Sequence, residues 1–244
     1  RVLFRSQNLS LTLGNQKILK DVSFEITQGQ IVGLIGPNGS GKTTLFNVLS
    51  GFLQPTAGAI SFRDQDITQL SAPKRAQRGI GRVFQNFGIF REMTLEENIL
   101  VALEAIPKEQ RASLGNLDDT VTSTLELVGL SDKRKEKASS LSGGQMRLLE
   151  IGRTLASGKE LFLLDEPTAG VSPKMTKDVS ALIRELRDEG KTVLIIEHDL
   201  PFIANICDRV LVLDVGEIVL SGSPQEVHHD KKLQEIYFGA DPTE

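Results

Sequence analysis

Gly36-Pro37-Asn38-Gly39-Ser40-Gly41-Lys42-Thr43-Thr44 follows the apolar run Ile31 to Ile35 and opens an apolar segment that continues to Leu49. Strand, loop and helix in that order make a phosphate-binding loop. Glycines at 36, 39 and 41 free the backbone to curl so that successive N–H groups face an anion, and the helix behind them adds the positive end of its dipole. Lys42 is placed to reach the β- and γ-phosphates of a nucleotide, and the Thr43 hydroxyl to ligate Mg²⁺. A glycine-rich turn without chemistry is the bland alternative. An apolar strand before it and an apolar helix after it weigh against that reading.

Downstream, Leu161-Phe162-Leu163-Leu164 is continuously apolar, as a parallel strand covered on both faces must be. Asp165 and Glu166 emerge at its carboxyl end, where open α/β sheets hold their ligands. Two carboxylates there repel one another unless a cation or a bound nucleotide organises them, so a merely solvated acidic pair is the weaker reading. Thr192 to Ile196 is another such strand, with His198 just past its end, and Gln85 follows the apolar pair Val83-Phe84. Leu141-Ser142-Gly143-Gly144-Gln145 precedes a helical pattern of Met146, Leu149, Gly152 and Arg153. Taken singly, a histidine at a strand end or a glutamine after two apolar residues carries little.

Taken together and in this order, the loop, the pentapeptide Leu141 to Gln145 and the strand ending Asp165-Glu166-Pro167 resemble the ATP-binding cassette ATPases over nearly the whole chain. The resemblance implies an α/β fold: a P-loop ATPase core with a mostly parallel sheet, an N-terminal antiparallel β subdomain and an inserted helical subdomain. It implies ATP and Mg²⁺ as cofactors, with Thr43, Gln85 and Asp165 at the metal and residues 36–44 on the phosphates. Glu166 matches the residue that polarises the attacking water, and His198 the switch histidine that senses the γ-phosphate. Gln85 matches the glutamine that touches both metal and water, and Lys42 completes the catalytic set. The family works as a head-to-tail dimer, here a homodimer or a heterodimer with a second such subunit. Ser142, Gly143, Gly144 and Gln145 of one subunit would meet the γ-phosphate held by the other. Behind Gln85, the apolar side chains Phe87, Ile89, Phe90 and Met93 match a groove that receives a short helix of an integral-membrane permease subunit. Local core packing is the alternative for any one of them.

Composition limits the rest. A net charge of −4 with both signs interspersed gives no electrostatic footprint for nucleic acid. No apolar run approaches the ~20 residues needed to cross a bilayer, and no secretory signal is visible. A membrane role must therefore come through a partner, which for this family means the cytoplasmic face of the inner or plasma membrane. The single Cys207 has no partner for an intrachain disulfide and reads as a buried hydrophobe in a reducing compartment.

The chain reads as one ATPase domain spanning 1–244, with 1–88 and 159–244 forming an α/β core lobe and 89–158 a helical lobe. Leu9 to Leu13 alternates at the strand period, and Gly14-Asn15 turns the chain back. Leu95 to Leu100 and Val121 to Val128 read as helices, and Lys133-Arg134-Lys135-Glu136-Lys137 as a solvated loop or helix face. Val179, Leu182, Ile183 and Leu186 form a helical stripe ending at Gly190. Val210 to Leu220 suggests a late hairpin, and Ile236, Tyr237 and Phe238 a tail docked on the core.

Two positions depart from the family pattern. Leu13 stands where many relatives place an aromatic on the adenine; leucine covers a base by dispersion but cannot stack. Ala169-Gly170-Val171-Ser172 lacks the usual aspartate of that segment. In finer detail, Phe84-Gln85-Asn86, Phe90 to Thr94, Glu166 to Pro173 and Tyr237-Phe238-Gly239 look most like the ATPases of branched-chain amino-acid uptake, with urea-uptake and lipopolysaccharide-export ATPases close behind. A soluble cassette ATPase of translation or DNA repair is a rival, but those carry two cassettes or a long coiled-coil insertion. A regulatory subunit that binds without hydrolysing is another, and Glu166 and His198 argue against it.

Overall fold

The computed structural model describes residues 1–86, 88–112 and 114–238. In chain order the elements are β1 Val2–Leu13, β2 Gln16–Thr27, β3 Ile31–Ile35, α1 Lys42–Leu49, β4 Ala57–Phe62, β5 Gln65–Asp66, α2 Ala72–Gln77 and β6 Ile80–Val83. A helical stretch follows, with α3 Leu95–Glu104, α4 Lys108–Ala112, α5 Leu117–Leu127 and α6 Gly143–Ala156. The chain then alternates through β7 Leu161–Asp165, α7 Pro173–Asp188, β8 Thr192–Ile196, α8 Leu200–Ile206, β9 Arg209–Asp214, β10 Glu217–Gly222, α9 Pro224–His229 and α10 Lys231–Phe238.

The short apolar runs become the middle of one sheet, ordered β10-β9-β3-β8-β7-β6, in which all neighbours but the β9/β10 hairpin are parallel. Each of its inner strands is buried on both faces, and alternate residues go to opposite sides. Val32, Leu34, Leu163, Leu194 and Leu211 face α1 and a second, antiparallel sheet ordered β2-β1-β4-β5. Ile35, Phe162, Leu164, Ile195 and Val212 face the other way, onto a core that continues without a break through α3, α5, α6, α7 and α8. Gly33 lies on that second face because α8 comes close there: a Cβ would sit 3.0 Å from Ile203 and 3.1 Å from Cys207. Cys207 is buried as expected, and burial pushes its thiol well above the ordinary range.

Between β6 and β7 the described residues form helices and one isolated bridge, Thr94 to Lys137. Helix α6 packs on α3, α5, α7 and β6, and so joins that helical stretch to the parallel sheet. Gly152 permits the close approach of α5, since a Cβ would stand 2.6 Å from Val128. The run Lys133 to Lys137 is only partly the solvated face expected. Arg134 pairs with Glu96 at 2.7 Å and with Asp118, while Lys135 and Lys137 pair with Glu96 and Glu92 at 2.5 and 3.1 Å. The acidic first turns of α3 and α5 converge on it, which no local pattern in the run itself announces. Arg75 is fully buried beneath α1 and donates to the carbonyls of Val48 and Leu49, closing the end of that helix; burial lowers its pKa to about 10. The tail docks through α10, with Ile236 and Tyr237 packed on the core. The Phe238 side chain and Gly239 lie outside the described residues.

Candidate active site

Residues 36–41 leave the carboxyl end of β3 and turn into α1 at the edge of the sheet where its parallel neighbours β8 and β9 also end. Gly41 is the N-cap of α1, in the left-handed region at φ 106°, and offers no capping side chain. By contrast α3, α5, α6, α7, α8 and α9 each have a side chain that accepts from a first-turn N–H. The first turn of α1 thus keeps its donors and its dipole for a ligand. A Cβ on Gly36 would lie 2.0 Å from the carbonyl oxygen of Leu213, so only glycine fits there. Gly39 has open space around it and is needed only for its φ of 81°.

Other polar groups of the loop fit an anion. The buried Ser40 hydroxyl oxygen has no protein hydrogen-bond partner among the described residues. Lys42 is 7% exposed, and its Nζ donates to the carbonyls of Gly36 and Pro37 at 2.8 and 2.9 Å. Burial lowers the pKa of this ammonium, and the nearby Glu166 and Asp165 oppose that. Phosphate oxygens would restore what burial removes. Tyr237, from α10, meets the loop from the far side: the Gly36 N–H donates to its hydroxyl at 2.9 Å. Thr43 is exposed on the first turn of α1.

The acidic end of β7 divides its labour. Asp165 is buried and its Oδ2 receives a 3.1 Å bond from Arg82, a residue of β6. Burial raises the pKa of Asp165, with the Arg82 guanidinium pulling the other way. Arg82 also donates to Asn47 and Ser50 of the α1 end, and its guanidinium lies 4.7 Å from the Phe84 ring and 5.7 Å from that of Phe52. Glu166, one residue on, has φ 47°, a conformation rare for a residue with a side chain. Its Oε2 accepts from Gln85 Nε2 at 2.7 Å, and its Oε1 lies 3.0 Å from His198 Nε2. Gln85, Glu166 and His198, far apart in sequence, therefore form one cluster at the carboxyl ends of β6, β7 and β8.

Leu141 to Gln145 lies elsewhere, at the start of α6, and no hydrogen bond joins it to residues 36–44 among the described residues. Ser142 and Gln145 form a capping box on exposed surface. Gly144 lets α7 come close: a Cβ would lie 2.6 Å from Met175. Along the same helix, Arg147 and Glu150 are buried and paired at 2.8 Å. Arg147 donates to the carbonyls of Phe84 and Gln85, and Glu150 accepts from Gly88 N–H at 3.1 Å. That clamp fixes the backbone on which Gln85 sits. Sequence patterns did not point to Arg82, Arg147 or Glu150; a cation or acid three residues from its partner on a helix looks the same on the surface as in the core.

Leu13 ends β1, 47% exposed. Behind Gln85, Ile89 belongs to the core, whereas Phe90 and Met93 are exposed, and Phe87 lies outside the described residues. Phe52 and Phe84, also exposed and in edge-to-face contact at 5.7 Å, line a groove of about 290 Å³ with Pro73, Ala76 and Ile80. Ala169 to Ser172 leads into α7, whose N-cap is Ser172.

Known proteins fit this arrangement. The ABC transporter family matches residues 19–169. The high-affinity branched-chain amino acid transport ATP-binding protein LivG of Salmonella typhimurium is 38% identical, over 97% of this chain and 98% of its own. The lipopolysaccharide export system ATP-binding protein LptB of Acidithiobacillus ferridurans is 37% identical over 97% of each. The crystal structure of the ADP conformation of an ATP-binding cassette from an ABC transporter superposes with a TM-score of 0.88 at 35% identity, covering 98% of this chain and all of that one. With the phosphate loop, the acidic strand end and these likenesses in place, the chain belongs to the ABC transporter family, as one of its ATP-binding ATPase subunits coupled to transport.

Proposed function

We propose that this subunit powers the uptake of branched-chain or other hydrophobic amino acids. The likeness to LivG, end to end on both chains, carries that reading. Lipopolysaccharide export is the second reading, favoured by a nearly equal identity to LptB. In either case the chain would act at the cytoplasmic face of the membrane through permease subunits docked on the exposed side chains Phe90 and Met93 behind Gln85 and in the groove lined by Phe52 and Phe84. It would do so as a homodimer or a heterodimer. Residues 89–158 form the helical lobe of a single domain and the remainder its α/β core.

The catalytic reading rests on the meeting of Gln85, Glu166 and His198. Residues 36–44 bind the phosphates through backbone N–H groups, and Lys42 neutralises their charge. Mg²⁺, held by Thr43, Gln85 and Asp165, would supply a positive charge that spreads over the phosphoryl oxygens when bound. Glu166 accepts the proton side of the attacking water, and Gln85 orients it. His198, whose Nε2 is held against Glu166, stands beside that carboxylate and would register the γ-phosphate and its loss. Ser142, Gly143, Gly144 and Gln145 of a second subunit close over that phosphate, again at a helix start. Leu13 covers the adenine.

Co-expression with the neighbouring permease genes and reconstitution in proteoliposomes tests the substrate. ATP-driven accumulation of leucine, dependent on a leucine-loaded binding protein, is the expected result. Transport of urea, or ATPase activity that responds to lipopolysaccharide alone, would overturn it.

A further inference from the structure

Glu197 stands between two catalytic elements and belongs to neither. It is 4% exposed, one residue past the end of β8, and both of its carboxylate oxygens are occupied. Oε1 accepts from Thr168 twice, from the backbone N–H at 2.9 Å and from the hydroxyl at 2.5 Å. Oε2 accepts from the N–H of His198 at 3.1 Å. A carboxylate is costly to bury, and donors converging on both oxygens are what make this one tolerable.

The neighbours on either side make this placement consequential. Ile196 accepts from the Glu166 N–H at 3.0 Å, so β8 holds the backbone of Glu166. His198 holds its side chain. Glu197, between those two, holds Thr168, two residues beyond Glu166 in the turn that the Ala169 N–H closes on the Glu166 carbonyl at 3.1 Å. Three consecutive residues thus grip one turn whose first residue sits at φ 47°. An unfavourable backbone conformation persists only where its surroundings over-determine it.

We propose that Glu197 is a positioning residue for ATP hydrolysis: by tying Thr168 to the His198 backbone it keeps the Glu166 turn in its left-handed conformation and the Glu166 and His198 side chains in register. The proposal rests on the catalytic reading of Glu166 and His198. Glu197 touches no substrate; it acts through Thr168 and His198. A misplacement of about 1 Å in such a pair costs on the order of 10²-fold in rate while leaving the phosphate contacts untouched.

The test uses the full chain carrying Glu197→Gln, Glu197→Ala, Thr168→Val, the Glu197→Ala/Thr168→Val double change and Glu166→Gln. For each, ATP affinity is measured by calorimetry and turnover is normalised to the binding-competent fraction, so that partial misfolding does not count as lost catalysis. Glu197→Ala is expected to lower kcat by on the order of 10²-fold with ATP affinity within about twofold of wild type. Glu197→Gln keeps an acceptor for Thr168 but can turn an amide N–H₂ toward the His198 N–H, and should fall between the two. The double change should be no slower than Glu197→Ala alone, because both act through one contact. Normalised kcat within about twofold of wild type in Glu197→Ala and Glu197→Gln, or fully additive losses in the double change, would overturn the proposal while Glu166→Gln stays inactive. Wild-type turnover in Glu166→Gln would instead remove the catalytic reading itself, and this proposal with it.

Discussion

The Gln85 side-chain amide donates to Glu166 at 2.7 Å, across the gap between the ends of β6 and β7. Its nitrogen is thereby committed to a carboxylate, and its carbonyl oxygen is left as the end able to meet a cation or a water proton. One glutamine can thus hold Glu166 on one side and present an acceptor on the other. The backbone of Gln85 is held in turn by Arg147 of α6, the helix that begins at the Leu141 to Gln145 segment.

Glu166→Gln should leave ATP binding intact, reduce turnover by about 10² to 10⁴-fold and accumulate an ATP-bound dimer. Glutamine keeps the shape that Gln85 and His198 contact, and loses the charge that polarises water. Size-exclusion chromatography with ATP, alongside a phosphate-release assay, checks both halves; a monomer that hydrolyses at the wild-type rate contradicts the assignment.

Lys42→Ala should weaken nucleotide binding itself by about 1.5–3 kcal/mol, the worth of a charge-assisted contact. The ammonium is buried against the loop carbonyls, so its loss also frees Gly36 and Pro37. Calorimetry with ATP and Mg²⁺ reads it directly, and unchanged affinity would remove Lys42 from the phosphate site.

Arg82→Met should move the acid limb of Mg²⁺-dependent hydrolysis to higher pH. Burial already raises the pKa of Asp165, and Arg82, with a lesser contribution from Arg147, opposes it. Without that guanidinium the carboxyl holds its proton to a higher pH, and a protonated Asp165 binds a cation poorly. A pH profile at limiting Mg²⁺ for the variant and wild type shows the displacement; superimposable limbs would mean that another group titrates.

Leu13→Tyr should tighten ATP binding by about 0.5–1.5 kcal/mol, the worth of one stacking contact. Leu13 is half exposed at the end of β1. The wild type should separate ATP from GTP only modestly. A strong wild-type preference for ATP, or no gain from the ring, would place the base elsewhere.

The parts of the fold that were legible were those whose signal is local. Ile31 to Ile35, Leu161 to Leu164 and Thr192 to Ile196 are too short and too uniformly apolar for surface helices, and the structure buries them side by side. Glu166, His198 and Gln85 could be picked out only as members of the ordered set of motifs that carries the resemblance, each just past a strand or an apolar pair, and the sheet brings those strand ends together. Arg82, Glu197 and the Arg147–Glu150 pair carry no such mark. Their partners are set by tertiary packing: Arg82 meets Asp165 from a strand far earlier in the chain, and Glu197 meets Thr168 across a whole βα unit. The charge run at Lys133 to Lys137 is solvated at Lys135 to Lys137, as expected, but its ion pairs could not be foreseen, since Glu96 and Asp118 arrive from other helices.

The order of the parallel sheet also sorts these groups by how readily their backbones open. The phosphate loop hangs from β3, which is paired on both sides, by β8 and β9. Gln85 hangs from β6, one of the sheet's two edge strands, paired to β7 alone. In amide hydrogen exchange the N–H groups of Val32 to Ile35 should therefore be among the last to take up deuterium, and those of Arg82 and Val83 among the earlier ones. A loop placed to hold phosphates is thus rooted between two paired neighbours, whereas Gln85 is mounted on a margin that has only one.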